Sequence, residues 1–290
     1  MGQTVIGIIG GSGLYNIEGL TNAEWRRVDS PWGEPSDELL FGELAGTQLV
    51  FLPRHGRGHR LSPSGINYRA NIDALKRAGV TDVISVSACG SFREEMAPGD
   101  FVLVDQFIDR TTAREKSFFG NGLVAHVSVA FPICPRLSDA LQTAAESLDI
   151  NIHRGGTYLA MEGPQFSSLA ESKMYREVWG ADVIGMTNMP EAKLAREAEL
   201  DYATVAMVTD YDSWHPRDGE VDVSAILKVL ASNTANAAKL IAAVVPELAG
   251  DRTPCPHGCD RALEFALITT PDARDMELVA KLDAVAGRVL

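Results

Sequence analysis

Apolar and polar residues follow two different periods along the chain, and each period predicts one type of secondary structure. Short β-branched runs, as at residues 5–9, are typical of buried strands, whereas apolar spacings of three and four, as at residues 66–78, are typical of helices. The predicted strands are 5–9, 82–88, 101–105, 155–161, 182–185 and 202–209, with a hairpin over 39–53 that turns at 45–47. The predicted helices are 66–78, 135–148, 169–179, 190–199 and 223–245, with a last one from about residue 273.

End signals support several of these helices. Gly79 follows the first one as a typical C′ residue, Pro135 stands at the start of the second, and Ser168 with Glu171 forms a capping-box pattern before the third. Strands that alternate with helices predict an α/β fold with a largely buried sheet. We therefore expect one domain over residues 1–290, a central mixed sheet flanked by helices, in which residues 246–290 add a C-terminal loop and helix.

Composition and charge narrow the function classes. The 290 residues are 46% hydrophobic, which excludes wholesale disorder, and 26 Lys+Arg against 39 Asp+Glu give a net charge of −13. This acidity argues against nucleic-acid polymers and anionic membranes as partners, but not against small anions, which are bound by local groups. The sequence shows no signal peptide and no apolar run long enough to span a membrane, and four cysteines make no disulfide framework, so we expect a cytoplasmic protein.

Two segments have the chemistry of anion sites. The turn at residues 10–13 follows the first strand and holds three glycines and Ser12, a composition that lets backbone amides approach a phosphate, although a tight strand exit explains it equally well. Residues 54–60 (RHGRGHR) form a positive segment that includes Arg54 and His55. A phosphate or carboxylate site is the favoured interpretation of this segment, and a solvated loop with surface ion pairs is the alternative.

Two strand ends offer further candidates. Ser87 and Ala88 lie near the end of the strand that starts at residue 82, where α/β folds place ligands; small residues that merely permit close packing are the alternative. Asp210 and Asp212 end another apolar strand, and two carboxylates at this spacing suit acid/base chemistry, a metal, or simply an exposed turn. We interpret Cys89 as a buried structural thiol.

Cys255 and Cys259 have the spacing of half a zinc site. No second pair of ligands is evident in the sequence, so a disulfide or two plain thiols are the favoured alternatives, and we expect no metal.

These segments together resemble one family, the purine nucleoside phosphorylases, and within it the branch that acts on 5′-methylthioadenosine. The resemblance rests on ordered motifs over about residues 5–245: GIIGGSGL from residue 7, RHG from 54, ACGS from 88, DQFIDRT from 105, EGPQFS from 162, WGADVI from 179, MTNMPE from 186 and TDYD from 209. It implies a nucleoside phosphorylase fold, phosphate-dependent cleavage of methylthioadenosine to adenine and 5-methylthioribose 1-phosphate, and no cofactor, since phosphate is a co-substrate.

The resemblance also implies roles for individual residues. The residues expected to hold phosphate are Ser12, Arg54, His55, Ser87, Ala88 (through its amide) and Thr187. Met186 would pack on the ribose, Phe166 against the base, and Ser167 beside it. Asp210 and Asp212 would face N7 and the 6-amino group, with Asp210 as the acid for N7 and Asp212 in support. A carboxylate accepts hydrogen bonds from the 6-amino group and repels the oxygen of a 6-oxo purine.

The helix at 223–245 carries two interpretations. Its period places Val223, Ile226 and Leu227 in the core, whereas the family places this helix start beside the 5′ group, and both are retained. His126 matches a position that reaches a neighbouring subunit, which implies a homotrimer or a pair of trimers.

Three rival functions remain: phosphorolysis of 6-oxo nucleosides or methylthioinosine, a nicotinamide oxidoreductase, which the missing third glycine opposes, and a non-catalytic purine or phosphate sensor.

Overall fold

An 11-stranded mixed β-sheet forms the centre of the protein and helices flank it, which confirms the predicted fold class. The computed structural model describes residues 2–11, 13–215 and 223–290. The strands are β1 (Val5–Gly10), β2 (Thr21–Arg26), β3 (Leu39–Leu44), β4 (Thr47–Pro53), β5 (Asp82–Ser91), β6 (Phe101–Leu103), β7 (Gln106–Asp109), β8 (Ile152–Arg154), β9 (Thr157–Ala160), β10 (Val183–Gly185) and β11 (Asp201–Asp210). The helices are α1 (Tyr68–Arg77), α2 (Pro135–Glu146), α3 (Leu169–Glu177), α4 (Asn188–Glu197), α5 (Val223–Glu247), α6 (Met276–Lys281) and α7 (Asp283–Ala286).

The strand order brings several carboxyl ends to one edge of the sheet. The sheet runs β2-β3-β4-β1-β5-β10-β9-β7, and β11, β6 and β8 extend it from the other side of β5. Strands β4, β1, β5 and β11 are mutually parallel, so the residues that follow or end them are neighbours. This edge is where parallel sheets place ligands.

The sheet forks along β5. Strand β1 pairs with β5 as far as Ser85, and β10 takes over on the same side at Gly90 and Ser91, while β11 continues along the opposite side. Residues 86–89 are therefore left without a strand partner on the β1 side, as far as the described residues show. Ala88 is the one exposed residue of an otherwise buried strand, so the fork opens the sheet to ligands there.

Helix ends follow the predicted signals, whereas some strands carry none. The Asn67 side chain accepts the Ala70 N–H at the start of α1, and Gly79 follows that helix at φ +83°. Ser168 and Glu171 form the predicted capping box of α3. Strands β2, β7 and β8 were not predicted: β2 is polar and almost wholly exposed, so no burial pattern marks it, and pairing with β3 holds it.

Helix α5 corrects one prediction. Val223 and Leu227 are 56% and 59% exposed, so core packing does not explain the apolar residues at its start. Burial begins at Asn233, whose side-chain amide donates to the Val208 carbonyl, and the second half of the helix packs against α2 and β11. None of the helices in the described ranges combines the length and apolar content of a bilayer-spanning helix.

The C-terminal segment also differs from its prediction. Instead of one helix from residue 273, it forms two short helices, α6 and α7, with α6 capped by Asp275. Leu263, Leu282 and Val285 are buried against the main core, and Arg288 pairs with Glu199 at 2.7 Å. The segment is therefore docked onto the sheet and its helices.

Two partly buried ion pairs join the last residue of β7 to the loop that follows it and to α4. The Asp109 carboxylate lies 2.6 Å from Lys193 and 3.1 Å from Lys116, and it accepts the Thr111 hydroxyl. Burial alone would raise the pKa of Asp109, but these hydrogen bonds and cations outweigh it and lower the pKa to about 2. The charged carboxylate therefore stabilises the folded state.

We expect Asp109→Asn to lower the free energy of unfolding at pH 7 by about 2 kcal/mol. Because the folded pKa is depressed, this contribution is complete above about pH 4, where the unfolded carboxyl is also ionised, and disappears as the pH falls towards 2. Urea unfolding at pH 7 and at pH 3 measures it. Asp139→Asn is the matched control, since Asp139 is exposed in its pair with Arg154 and its removal should change little. A pH-independent loss in Asp109→Asn would contradict the assignment.

Candidate active site

The loops after β1 and β4 meet at the open edge of the sheet. The Arg54 N–H donates to the Gly10 carbonyl at 2.9 Å, which fixes the positive segment beside the glycine turn. Gly11 and Gly13 are exposed there. The predicted phosphate ligand Ser12 lies outside the described residues.

Arg54 is buried and its charge is paired. The guanidinium is 2% exposed and binds both carboxylate oxygens of Glu191, at 2.8 and 3.1 Å. It also donates to the Val86 carbonyl on the unpaired stretch of β5. Burial opposes the charge, but Glu191 raises the pKa of Arg54 above its usual value. Arg54 thus reaches the fork as one half of a neutral pair, and Glu191 positions it there.

The positive segment is less positive than its sequence suggests. Arg57 pairs with Asp37 and Glu38 at 2.7 and 2.9 Å. Burial lowers the pKa of His55 to about 4, so its imidazole is neutral at pH 7. Its Nδ1 lies 2.9 Å from the Leu61 carbonyl and so carries the ring proton, which leaves Nε2 as an acceptor. His55 therefore offers a ligand a lone pair and not a positive charge, and Arg57 offers a charge that is already paired.

The hydroxyls of β5 and α4 face one another. The Ser87 hydroxyl donates to the Asn188 side-chain carbonyl at 2.9 Å, and Thr187 is the N-cap residue of α4, buried but with no capping hydrogen bond from its side chain. Ser87, Ala88 and Thr187 therefore meet at the fork, as the sequence predicts. The backbone leaves helical geometry at Met189 (φ −119°, ψ 134°), so Thr187 and Asn188 stand before a kink in α4 and not on a regular helix N-terminus.

Tyr158 is a feature of the site that the sequence analysis missed. Its hydroxyl is fully buried, without a hydrogen-bond partner among the described residues, and it is close to the hydroxyls of Ser87 and Thr187. Gly185 packs directly against it, which no larger residue could do. Burial raises the pKa of Tyr158, so the hydroxyl stays protonated. It is a neutral donor at the fork.

The two aspartates lie at the end of β11, next to the same stretch of β5. Asp210 is paired in register with Gly90, and a Cβ at Gly90 would come within 3.1 Å of the Asp210 carboxylate. The Thr209 hydroxyl lies 2.7 Å from Asp210 Oδ1, and the Asp212 N–H donates to Oδ2 at 3.0 Å. Asp210 is therefore held in place at the edge of the fork.

Asp212 is the more deeply buried carboxyl of the pair. It is 5% exposed, its backbone has φ +31°, and its Oδ2 has no hydrogen-bond partner among the described residues. Burial raises the pKa of Asp212 above its usual value. One carboxyl that resists ionisation next to another is an arrangement that can retain and pass a proton.

The predicted ribose and base residues come from the loop after β9 and the end of β10. Met186 packs on Gly163, and Phe166 stands 46% exposed in the same loop. The Ser213 hydroxyl donates to the Ser167 carbonyl at 2.8 Å, which ties this loop to the segment that holds the two aspartates. The loop that carries Phe166 and Ser167 is therefore held near the carboxyl end of β11.

Three predicted residues stay apart on the surface. His126 is exposed, and its N–H donates to the Ala266 carbonyl of the C-terminal segment. Val223 and Leu227 are exposed at the start of α5, as described above. An exposed position is compatible with a role at a neighbouring subunit and offers no support for a role within one chain.

Comparison with known proteins places this geometry in a family. The model of the phosphorylase superfamily matches residues 5–246. The S-methyl-5′-thioadenosine phosphorylase of Cereibacter sphaeroides is 66% identical over 288 residues and covers 99% of both chains. The protein of the same name from Bradyrhizobium diazoefficiens is 64% identical and covers 100% of this chain and 99% of its own.

Solved structures agree in fold. A methylthioadenosine phosphorylase from an antarctic soil metagenomic library superposes with a TM-score of 0.92 at 48% identity, covering 97% of this chain and 98% of its own. A variant of the adenosine/methylthioadenosine phosphorylase of Schistosoma mansoni, in complex with adenine, has a TM-score of 0.81 at 32% identity over 98% of each chain.

Proposed function

The chain belongs to the phosphorylase superfamily, and on that premise we propose that it cleaves 5′-methylthioadenosine with inorganic phosphate to adenine and 5-methylthioribose 1-phosphate. The observation that carries this proposal is the position of Asp210 at the edge of the fork that Ser87 and Ala88 line. The proposed acid for the purine, at the end of β11, and a hydroxyl for the phosphate, on β5, then lie on adjacent strands. The names of the similar proteins support the choice of nucleoside.

The phosphate end is assigned to groups that donate without adding net charge. Ser87, Thr187 and the Ala88 amide donate hydrogen bonds, Arg54 supplies a guanidinium already oriented by Glu191, and the Nε2 of His55 accepts a proton of phosphate or of a ribose hydroxyl. Ser12 is proposed as a further donor from its sequence match alone. This set can place a phosphate oxygen beneath C1′ and leave its charge available for attack.

The purine end is assigned to the two aspartates. The C1′–N9 bond breaks as the phosphate oxygen bonds to C1′, through an oxocarbenium-like transition state. The electron pair of the broken bond goes to the purine, and the proton that the two carboxyls retain between them passes through Asp210 to N7. The buried Asp212 supports Asp210 by hydrogen bonding through its backbone and by resisting a second negative charge. The Asp210 carboxylate also accepts from the 6-amino group, which favours adenine over 6-oxo purines.

The 5′ group and the assembly are proposed together. Val223 and Leu227 are exposed apolar side chains at the start of α5, suited to a methylthio group once a second subunit covers them. Val124, Phe265 and Ile268 form an exposed apolar surface beside His126, suited to contact with another copy. We therefore propose a homotrimer in which His126 approaches the neighbouring site, in the cytoplasm.

One assay tests the activity. Purified protein is mixed with methylthioadenosine, with and without phosphate, and base release is followed by chromatography. Adenine that appears only with phosphate is the expected result, whereas no adenine under either condition, or adenine without phosphate, would overturn the proposal. Inosine, methylthioinosine and adenosine run in parallel distinguish it from 6-oxo phosphorolysis, and methylthioadenosine is expected to react fastest.

A further inference from the structure

Three cysteines and an aspartate, distant in sequence, meet in the interior at the opposite end of β11 from the candidate active site. Cys134, Asp201, Cys255 and Cys259 are all buried, and one ligand atom of each lies within 4.8 Å of every other. Cys134 precedes α2, Asp201 begins β11, and the other two belong to the C-terminal segment. Cys134 and Asp201 thus supply the second pair of ligands, which the spacing of residues in the sequence does not reveal.

From this cluster we infer that the protein binds one structural zinc ion through Cys134, Cys255, Cys259 and Asp201. Three thiolates and a carboxylate are a ligand set that closes a tetrahedral zinc site. All four cysteines are free thiols, and the Cys255 and Cys259 sulfurs lie 2.9 Å apart, so the side chains already converge. Zinc binding replaces the thiol protons and needs no oxidant.

Asp201 provides the observation that points to a cation. Its side chain is 0% exposed, and its Oδ1 has no hydrogen-bond partner among the described residues. The other oxygen, Oδ2, accepts from Arg136 at 2.8 Å and Arg252 at 3.0 Å. A buried carboxylate oxygen without a partner is costly, and a metal ion bound to it removes that cost.

The surroundings suit the charge of such a site. Three thiolates and one carboxylate around Zn²⁺ leave an excess of negative charge, and Arg136 and Arg252 lie against the same aspartate and offset part of it. Asp82 shares these two arginines. The two arginines also orient Asp201, as residues that hydrogen-bond to a metal ligand generally do.

The backbone around the cysteines is fixed as well. Gly258 adopts φ +65°, and its N–H donates to the Cys255 carbonyl at 2.9 Å, which folds the loop so that both sulfurs face inward. The Cys134 N–H donates to the Tyr202 carbonyl at 2.8 Å, which sets the third sulfur beside β11. A disulfide between Cys255 and Cys259 would leave Cys134 and the Asp201 oxygen without partners, whereas zinc engages all four.

The first test is the metal content of the wild-type protein. Protein purified without chelators is expected to hold about one zinc per chain by mass spectrometry of the metals, and to show four reduced thiols after denaturation with EDTA. A metal-free protein overturns the proposal, whether it has four thiols or only two. If only two thiols are found, an intact mass lower by two hydrogen atoms would identify a disulfide instead.

Variants locate the ion. A Cys255→Ser, Cys259→Ser double variant should lose the zinc, whereas Cys89→Ser, which removes the buried thiol outside the cluster, should keep it. Should the double variant fail to fold, cobalt provides an independent readout on Asp201→Asn. The cobalt-loaded wild-type protein should show a thiolate-to-cobalt charge-transfer band, and the variant should keep this band but shift the d–d bands. Unchanged d–d bands, or zinc retained in the double variant, would contradict the assigned ligands.

Discussion

Asp210→Asn is expected to lower kcat/KM for methylthioadenosine by about 10²–10⁴-fold and to confer measurable cleavage of 6-oxo nucleosides. The substitution removes both the acid for N7 and the acceptor for the 6-amino group, and it offers an amide donor to a 6-oxo oxygen. The fold should tolerate it, because the asparagine carbonyl can still accept the Asp212 N–H and its amide can donate to the Thr209 hydroxyl. Steady-state rates with methylthioadenosine, methylthioinosine and inosine measure both effects.

Asp105→Asn is the matched control for this experiment. Asp105 is also a carboxylate next to a strand: it lies between β6 and β7, away from the two aspartates of the site, and accepts the Gly156 N–H at 3.2 Å. Its replacement should leave kcat/KM within about twofold, as surface changes usually do. If Asp210→Asn retains methylthioadenosine activity near the wild-type level, Asp210 is not the acid.

Glu191→Gln is expected to have opposite effects on stability and on the response to phosphate. It removes the charged partner of Arg54 in the interior, which should lower the free energy of unfolding by about 3–5 kcal/mol in phosphate-free buffer. The buried guanidinium is then an uncompensated cation beside the fork. Added phosphate should therefore stabilise the variant more than the wild-type protein, because a ligand stabilises in proportion to its affinity for the folded state.

Urea unfolding with phosphate, against chloride at equal ionic strength, measures this difference. Glu197→Gln is the matched control on the same helix: its carboxyl is buried, makes no ion pair with an arginine of the described residues, and accepts from Ser117 and the Phe118 N–H. Burial raises the pKa of Glu197 to about 7, so neutralising it should cost little and should not alter the phosphate effect. An equal phosphate response in wild type and Glu191→Gln would argue that Arg54 does not contact the anion.

Sequence patterns predicted the elements that bury apolar residues and missed those held by pairing alone. Strand β5 continues to Ser91, beyond the apolar run, because β10 and β11 pair with its last residues. Strand β2 has no buried face and could not be recognised by alternation. At the start of α5 the helical period was correct, but the period does not reveal where the neighbouring elements end. Of the two interpretations of Val223 and Leu227, core packing was therefore wrong, and a position beside the 5′ group stays a prediction.

The residues of the candidate site could be predicted where a motif lies at the end of a predicted strand. They could not be predicted where two interacting residues come from distant parts of the sequence. The strand-end argument predicted Ser87 and Ala88, and the fork brings them together with Thr187, which the family resemblance implied, and with Arg54 of the positive segment. The Arg54–Glu191 pair joins residues 137 positions apart, and no spacing rule connects them. The same limit hid the convergence of Cys134 and Asp201 on the Cys255–Cys259 loop, because the ligands are adjacent only after β11 and α2 have packed.

The open stretch of β5 has a consequence for solubility and self-association. Exposed strand edges invite pairing with other chains and are a common start of aggregation, so proteins cover or shorten them. Among the residues that the structure describes, the free edge of β5 on the β1 side spans residues 86–89, about 13 Å of strand. Strands β1 and β10 close it at both ends, which leaves no room for a foreign strand to add on. The protein can thus keep backbone groups without a strand partner at the centre of its sheet, one of which accepts from Arg54, within reach of a compact ligand and inaccessible to another polypeptide.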